Sequence, residues 1–417
     1  MATLIKPTVT VIGAGFSGLT AAYYLLRAGA RVRVIERSDR AGGLLGTRRT
    51  EHGLVETAAN GILNSARLEA LCADIGVTLL APRPESRARF IWRDHPRRWP
   101  LGVGETLRLG AGLLGNAARL RPFPQETVAA WGERVLGAGA TRYALLPALG
   151  GIYAGDGRQM SAGLIFRRGP SFSSPSFSSP SFSSVNAGSE KPRRRGTVAP
   201  SRGMQELVDC LTDRLRERGA ELLFNQTAEI RAGAPSIVCA QAPQAASLLR
   251  ETAPAVSECL DRIEMLPLVT ATCFYAHHPA HPRGFGCLFP RDQGFRARGA
   301  LFNDCLFEGR SDVRSETWIL GGALDREIPQ MEDEDLKRVL AADHARLTGR
   351  DEPPLSVHII RWPHALPHYN LDLERALAGM PPLPRGLALS GNYLGQIGLG
   401  RILHRSAHAA ARILEAL

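Results

Sequence analysis

The chain opens on an apolar run from Thr8 to Ile12, short enough for a buried strand and bounded by glycine. From Ser17 to Ala28 apolar residues recur at helical spacing, and residues 31–36 then alternate as a second strand. Strand, helix and strand in such quick succession predict a β-α-β unit with parallel strands. From Glu85 to Arg168 the pattern turns helical, with an amphipathic stretch over Leu101–Leu120. Gly203–Arg218 predicts an amphipathic helix, residues 221–230 are strand-like, and Ile237–Ala240 reads as a short strand. Residues 265–375 mix strand-like runs (Val269–Tyr275, Thr317–Leu320, Val357–Trp362) with one helix near Glu334–Leu347. The tail returns to the opening pattern: strand Leu387–Leu389, turn Ser390–Gly395, helix from Gly400 to Leu417.

One segment breaks the pattern. Residues 170–184 are three tandem copies of Pro-Ser-Phe-Ser-Ser, followed by a basic run from Lys191 to Arg195. Such a composition buries too little apolar surface to offset its ordering entropy, so 169–196 is expected to be a disordered insert.

With 417 residues, 44% of them hydrophobic, the chain can bury two or three domain cores. The net charge of +11 comes from arginine, because Lys6, Lys191 and Lys337 are the only lysines. A basic surface suits an acidic small molecule or anionic lipid, and no nucleic-acid motif accompanies it, so no nucleic-acid partner is expected. Seven scattered cysteines (72, 210, 239, 259, 273, 287 and 305) form no CxxC pair, which fits a reducing compartment and argues against a cysteine-built zinc site. No stretch approaches the roughly 20 apolar residues of a spanning helix, and no signal-peptide pattern precedes the first strand. A cytoplasmic location follows, with room for peripheral contact at the inner face of the membrane. Leu101–Leu120 reads equally as a membrane-surface helix or a core helix.

The first chemistry lies in Gly13-Ala14-Gly15-Phe16-Ser17-Gly18, a GxGxxG that leaves a strand and opens a helix. Its glycines permit a tight turn, close approach of backbone to a pyrophosphate, and close helix–strand packing. Glu36 closes the second strand, where a carboxylate accepts hydrogen bonds from ribose hydroxyls and disfavours a 2′-phosphate. Arg40-Ala41-Gly42-Gly43 follows directly. Its diglycine lets backbone amides reach the pyrophosphate and flavin side, and Arg40 adds positive charge. A nicotinamide dehydrogenase has no need of this second loop, so the expected cofactor is FAD.

Residues 9–61 resemble the amine-oxidase-like flavoprotein superfamily, whose signature runs GxGxxG, an acidic residue, then RxGG. Further segments narrow the likeness: Arg89-Phe90 before Trp99-Pro100, Gly151-Ile152-Tyr153-Ala154-Gly155-Asp156, Gly203 to Leu207, Arg361-Trp362-Pro363 before Pro367 to Asn370, and Gly391-Asn392 leading to Gly398-Leu399. In this order they resemble the protoporphyrinogen/coproporphyrinogen oxidase family from residue 8 to about 412. The resemblance implies FAD-dependent oxidation of an acidic tetrapyrrole in haem synthesis, with dioxygen taking the electrons. It also implies that Arg89 grips a substrate carboxylate and that Gly151, Tyr153 and Gly155 border the macrocycle. Arg37, Ala228, Gly391, Asn392, Ile397 and Gly398 join the opening motif at FAD, and no residue is assigned a catalytic proton transfer beyond a candidate role for His368.

The fold expectation is α/β: a Rossmann-type FAD-binding domain from residues 1–84, 197–250 and 384–417, an inserted helical domain at 85–168, and a mixed-sheet substrate domain at 251–383. Three departures from the family pattern bear on activity. Gly400-Arg401-Ile402 replaces the usual Asn-Asp-Cys, Gln396 stands where glycine is usual, and residues 231–236 are too few for the family's β-hairpin. An amine- or carotenoid-oxidising flavoenzyme and a non-catalytic FAD protein therefore stay open. Oligomeric state is not legible.

Overall fold

The computed structural model describes residues 7–114, 120–166, 192–193, 195–279, 281–395 and 397–417. The Pro-Ser-Phe-Ser-Ser repeats lie outside the described residues.

β1 (Thr8–Ile12), α1 (Phe16–Arg27) and β2 (Arg31–Ile35) form the expected unit. They seed a five-stranded sheet whose spatial order is Glu221–Leu223, β2, β1, Ser236–Val238, Leu387–Leu389, with every pair parallel. Strands from both ends and the middle of the chain thus make one sheet. Both faces are covered, which is why its strands read as apolar runs. One face packs on α1, Met204–Glu217 and Leu399–Ala416 through Leu19, Leu211 and Leu403, and the other on helices Ala242–Leu249, Pro254–Asp261 and Leu371–Ala378. The chain departs in opposite directions from β1, to β2 on one side and Ser236–Val238 on the other. That switch point leaves a crevice at the strands' carboxyl ends, beside the glycine loop.

The missing hairpin does not open the sheet. The strand-like stretch 221–230 contributes only Glu221–Leu223, and a tight path follows to Ser236–Val238. Along it, Gln226 N donates to Glu36 O (3.0 Å) and Asn225 N to Ser38 O (2.9 Å).

The second sheet has seven strands in the order Ser356–Pro367, Met265–Tyr275, Arg314–Gly321, Gly299–Phe302, Gly286–Leu288, Arg89–Arg93, His95–Arg97. Residues 89–97 correct the expected helical span: they are edge strands of this sheet, joined by the parallel pairing of Gly286–Leu288 with Arg89–Arg93. Their apolar residues are interleaved with arginines, which hides a strand period from a reading of composition. Period-two alternation gives the sheet two uses. Val269, Ala271 and Cys273 pack against helix Asp333–Thr348 with Trp318 and Leu320, while Leu268, Thr270, Thr317 and Ile319 turn to the opposite face.

Candidate functional site

A single cavity of about 1310 Å³ runs from the crevice at β1 to this second face of the seven-stranded sheet. At the crevice end, two helices open onto it with glycine N-caps and no side-chain cap, Gly15 for α1 and Gly398 for Leu399–Ala416. Uncapped first-turn amides at two helix N-termini favour an anion. Arg37, Arg40, Arg67 and Arg401 also line the wall, and Glu36 is its one carboxylate among the described residues.

Gly13, at φ +100°, makes the turn. Gly15 leaves the space a ligand needs, since a Cβ there would meet nothing nearer than Gly43 Cα at 3.9 Å. Gly42, at φ +106°, donates to Ala14 O (2.8 Å) and clasps the diglycine loop to the glycine loop. Glu36 is held in place through both of its oxygens, Oε2 accepting from Ala14 N (2.7 Å) and Oε1 from Ser38 N and Oγ (2.9 and 2.8 Å).

Several motif residues serve the fold rather than the ligand. Ala14 and Gly18 do not line the cavity. Ala14's amide is already spent on Glu36, and Gly18 is the packing glycine, where a Cβ would stand 1.8 Å from Gly13 O. Ser17 touches the cavity, but its hydroxyl bonds Ser390 Oγ at 2.7 Å, within a buried trio with Ser406. Arg40 donates to Ala41 O, Gly43 O and Leu45 O (3.2, 2.8 and 3.4 Å), bracing its own loop. Gly13, Gly15, Phe16, Arg37, Gly42, Gly43, Ala228, Gly391, Asn392, Ile397 and Gly398 all line the wall. Partial burial, then His408 and arginines 67, 401 and 405, push His404 down to about 4, so the positive charge here is arginine's alone near neutral pH.

Such a cradle fits FAD: uncapped amides for a pyrophosphate, a poised carboxylate for a ribose, and Cβ-free approaches on both loops. Replacing Glu36 by alanine is expected to weaken FAD binding about tenfold to a hundredfold, the worth of a charge-assisted hydrogen bond of ~1.5–3 kcal/mol. Titrating apoprotein by the quenching of flavin fluorescence measures it, and unchanged affinity would remove the ribose assignment.

The far end is different in kind. Leu268, Thr270, Leu301, Thr317, Ile319, Trp362 and Leu366 form an apolar wall, with Gly151, Ile152 and Ala154 beside it. Of the sequence-based substrate residues, only Gly151 lines the cavity. Tyr153 turns away to pack on Tyr369 (ring centroids 4.9 Å), whose hydroxyl donates to Asn392 O at 2.6 Å. Gly155 is a packing glycine whose Cβ would strike Met160 Sδ at 2.6 Å. Arg89 is exposed at the outer part of the sheet, its guanidinium over the Phe285 ring at 4.7 Å. His368 is fully buried and does not reach the cavity: its Nε2 accepts from Asp156 N (3.4 Å) and its Nδ1 donates to Glu264 Oε2 (2.7 Å). Its work is to anchor the Gly151–Asp156 segment. The apolar wall was not legible as a site, because alternation shows that a strand has two faces without saying what either one meets.

The model of the family described as flavin containing amine oxidoreductase matches residues 16–413. A chloroplastic protoporphyrinogen oxidase of Nicotiana tabacum is 26% identical over 467 aligned residues, covering 97% of this chain and 84% of that one. A coproporphyrinogen III oxidase of Mycobacterium tuberculosis is 26% identical over 448, covering 98% and 97%. Among solved structures, a protein of Exiguobacterium sp. superposes with a TM-score of 0.76 at 21% identity (98% of this chain, 99% of that one). Putrescine oxidase bound to putrescine superposes with 0.71 at 16% (98% and 99%). The fold, the FAD cradle at its switch point and a family match over nearly the whole length agree: this chain belongs to the flavin-containing amine oxidoreductase family and is an FAD-dependent oxidoreductase.

Proposed function

We propose that this enzyme oxidises a porphyrinogen of haem synthesis to the porphyrin, with dioxygen as electron acceptor. The cavity carries the reading. At about 1310 Å³ it exceeds the roughly 300–1,000 Å³ of a single-ligand pocket, and its second half is a broad apolar wall suited to a flat macrocycle. Bound FAD supplies a ring that accepts hydride, and the protons and electrons leave as hydrogen peroxide. The chain's own part is orientation and exclusion of water, with Leu268, Ile319 and Trp362 offering apolar contact. An amine substrate is less well served. Among the described residues, the substrate-side wall has no carboxylate for an ammonium group, Phe16 and Trp362 are the cavity's only Phe, Tyr or Trp side chains, and Tyr393 is buried away from it.

Arg89 has a route to the substrate that its exposure conceals. Residues paired in register share a face, and Arg89, Gly286, Leu301 and Thr317 form one rung. Leu301 and Thr317 line the cavity, so Arg89 stands on the same face two strands, about 10 Å, beyond Leu301, with a glycine between. A propionate reaching from the macrocycle meets it there.

Purified holoprotein mixed anaerobically with protoporphyrinogen or coproporphyrinogen is expected to lose its flavin absorbance, and failure with both refutes the proposal. Arg89→Ala is expected to raise KM about tenfold or more while sparing kcat. Unchanged KM would withdraw its carboxylate role.

We propose in addition that the exposed face around residues 99–114 contacts a membrane surface. Helix Val103–Leu113 and its flank expose Val103 (81%), Leu107 (69%) and Leu114 (90%), beside a half-exposed Trp99. Among the described residues no helix is long and apolar enough to cross a membrane. Wild-type protein is expected to float with anionic vesicles and a Leu107→Glu, Leu114→Glu variant to remain behind; equal flotation would reject this surface.

A further inference from the structure

On the helix-covered face of the seven-stranded sheet, away from the cavity, three metal-ligand side chains converge. His344 comes from helix Asp333–Thr348, Glu352 from the loop after it, and His281 from the loop after strand Met265–Tyr275. Their ligand atoms all lie within 4.8 Å of one another, the one such cluster among the described residues. His281 and His344 are buried, and the Glu352 side chain is 17% exposed.

The hydrogen bonding leaves the cluster short of a cation. His344 Nδ1 lies 2.9 Å from Glu316 Oε2, a fully buried carboxylate that can only accept, so Nδ1 carries the proton. Its Nε2 then presents a lone pair to Glu352 Oε1 at 3.1 Å, an acceptor facing an acceptor. His281 Nε2 faces the same oxygen at 2.5 Å, and its Nδ1 is buried without a hydrogen-bond partner. A divalent cation among the three would take the His344 Nε2 lone pair, a His281 ring nitrogen and the Glu352 oxygen at once.

We propose that His281, His344 and Glu352 bind a zinc ion that pins the end of helix Asp333–Thr348 to the loop after Met265–Tyr275. Zinc takes imidazole nitrogen at about 2.0–2.1 Å and carboxylate oxygen at about 2.0–2.2 Å, which sets tetrahedral ligand–ligand edges of roughly 3.3–3.5 Å. His344 already stands near that distance from Glu352, and the His281 contact opens by under about 1 Å between two loop residues. The surroundings complete the arrangement. Glu316 fixes the tautomer of His344 as an outer partner, and Tyr275 stacks on its ring at 3.8 Å and 10°, setting its plane. The scattered cysteines argue against a thiolate site but say nothing of this one, whose ligands come from three separate segments.

The test uses the FAD-bound protein, stripped with a chelator and titrated with zinc against a chromogenic zinc indicator. One zinc per chain is expected, raising the thermal midpoint. His281→Ala and Glu352→Gln should each weaken zinc by more than the ~10–100-fold that losing an outer-shell partner costs, with flavin absorbance retained. Should the first variant not fold, the second decides. Cobalt in place of zinc should give tetrahedral visible bands, beyond the flavin's absorption, that both variants lose. No saturable one-to-one binding, or wild-type affinity in the folded variants, overturns the proposal. So does stability that follows histidine titration and ignores zinc.

Discussion

Gly18→Val is expected to yield protein without FAD and with a greatly lowered thermal midpoint. A Cβ at Gly18 would stand 1.8 Å from Gly13 O, so α1 must move off the turn that ends β1. Both partners are backbone, so no rotamer relieves the clash, and the cost exceeds the ~1–3 kcal/mol of ordinary overpacking. The same movement would carry the uncapped amides of α1 out of place. Gly15→Ala provides the contrast. Gly15 has an ordinary extended backbone (φ −68°, ψ 175°), and its Cβ would meet nothing nearer than 3.9 Å. The apoprotein should therefore fold within ~0.5 kcal/mol of wild type, yet bind FAD more weakly, because the methyl occupies ligand space. Flavin absorbance relative to protein absorbance, and thermal melts of both apoproteins, separate the two. Stoichiometric FAD in Gly18→Val, or unchanged affinity in Gly15→Ala, would refute the division of labour between these glycines.

Arg310→Met is expected to be the most damaging single change outside the cradle. Arg310 Nη1 bonds Glu56 Oε1 at 2.9 Å and its Nη2 donates to Pro200 O at 3.0 Å; the two side chains are only 4% and 3% exposed. Glu56 also accepts from Thr47 Oγ1 (2.6 Å) and from Met204 N at the start of its helix (3.1 Å). One buried carboxylate thus ties the segment after the diglycine, helix Met204–Glu217 and the Arg310 loop of the seven-stranded sheet. Removing the guanidinium strands that charge, at a cost of about 3–5 kcal/mol near neutral pH. Burial raises Glu56 above the usual carboxylate range even with Thr47 and Arg310 opposing it, and losing Arg310 raises it further. A carboxyl whose folded value lies above its unfolded one, about 4.3, is favoured by protonation. The variant should therefore recover stability relative to wild type as pH falls through the raised folded value. Denaturant midpoints across pH measure this, and adding Glu56→Gln should restore part of the loss at neutral pH. A pH-independent deficit would show that lost packing dominates.

The two predictions draw on different kinds of information. Gly13 to Gly18, Glu36 and Gly42-Gly43 lie within about thirty residues, and their spacing alone implies the turn, the helix start and the ribose carboxylate. Local stereochemistry decides such a motif, so the crevice end of the cavity was legible. Glu56 and Arg310 are separated by 254 positions, and nothing local pairs them. The strands at residues 89–97 were missed for the same reason, since their sheet partners Gly286–Leu288 lie far along the chain.

What the sequence determined by itself was the cofactor, the β-α-β unit that holds it and the family likeness carried by motifs from Arg40 to Gly398. Tertiary structure alone decided which face of the seven-stranded sheet meets the cavity, that Tyr153, Gly155 and His368 pack away from the cavity and do not line it, and that Arg89 stands on a rung leading to Leu301 and Thr317. The reason is physical. A phosphate-binding turn is built from neighbours in the chain, whereas a substrate wall is built from strands whose register is set only when distant segments pair and bury one face together.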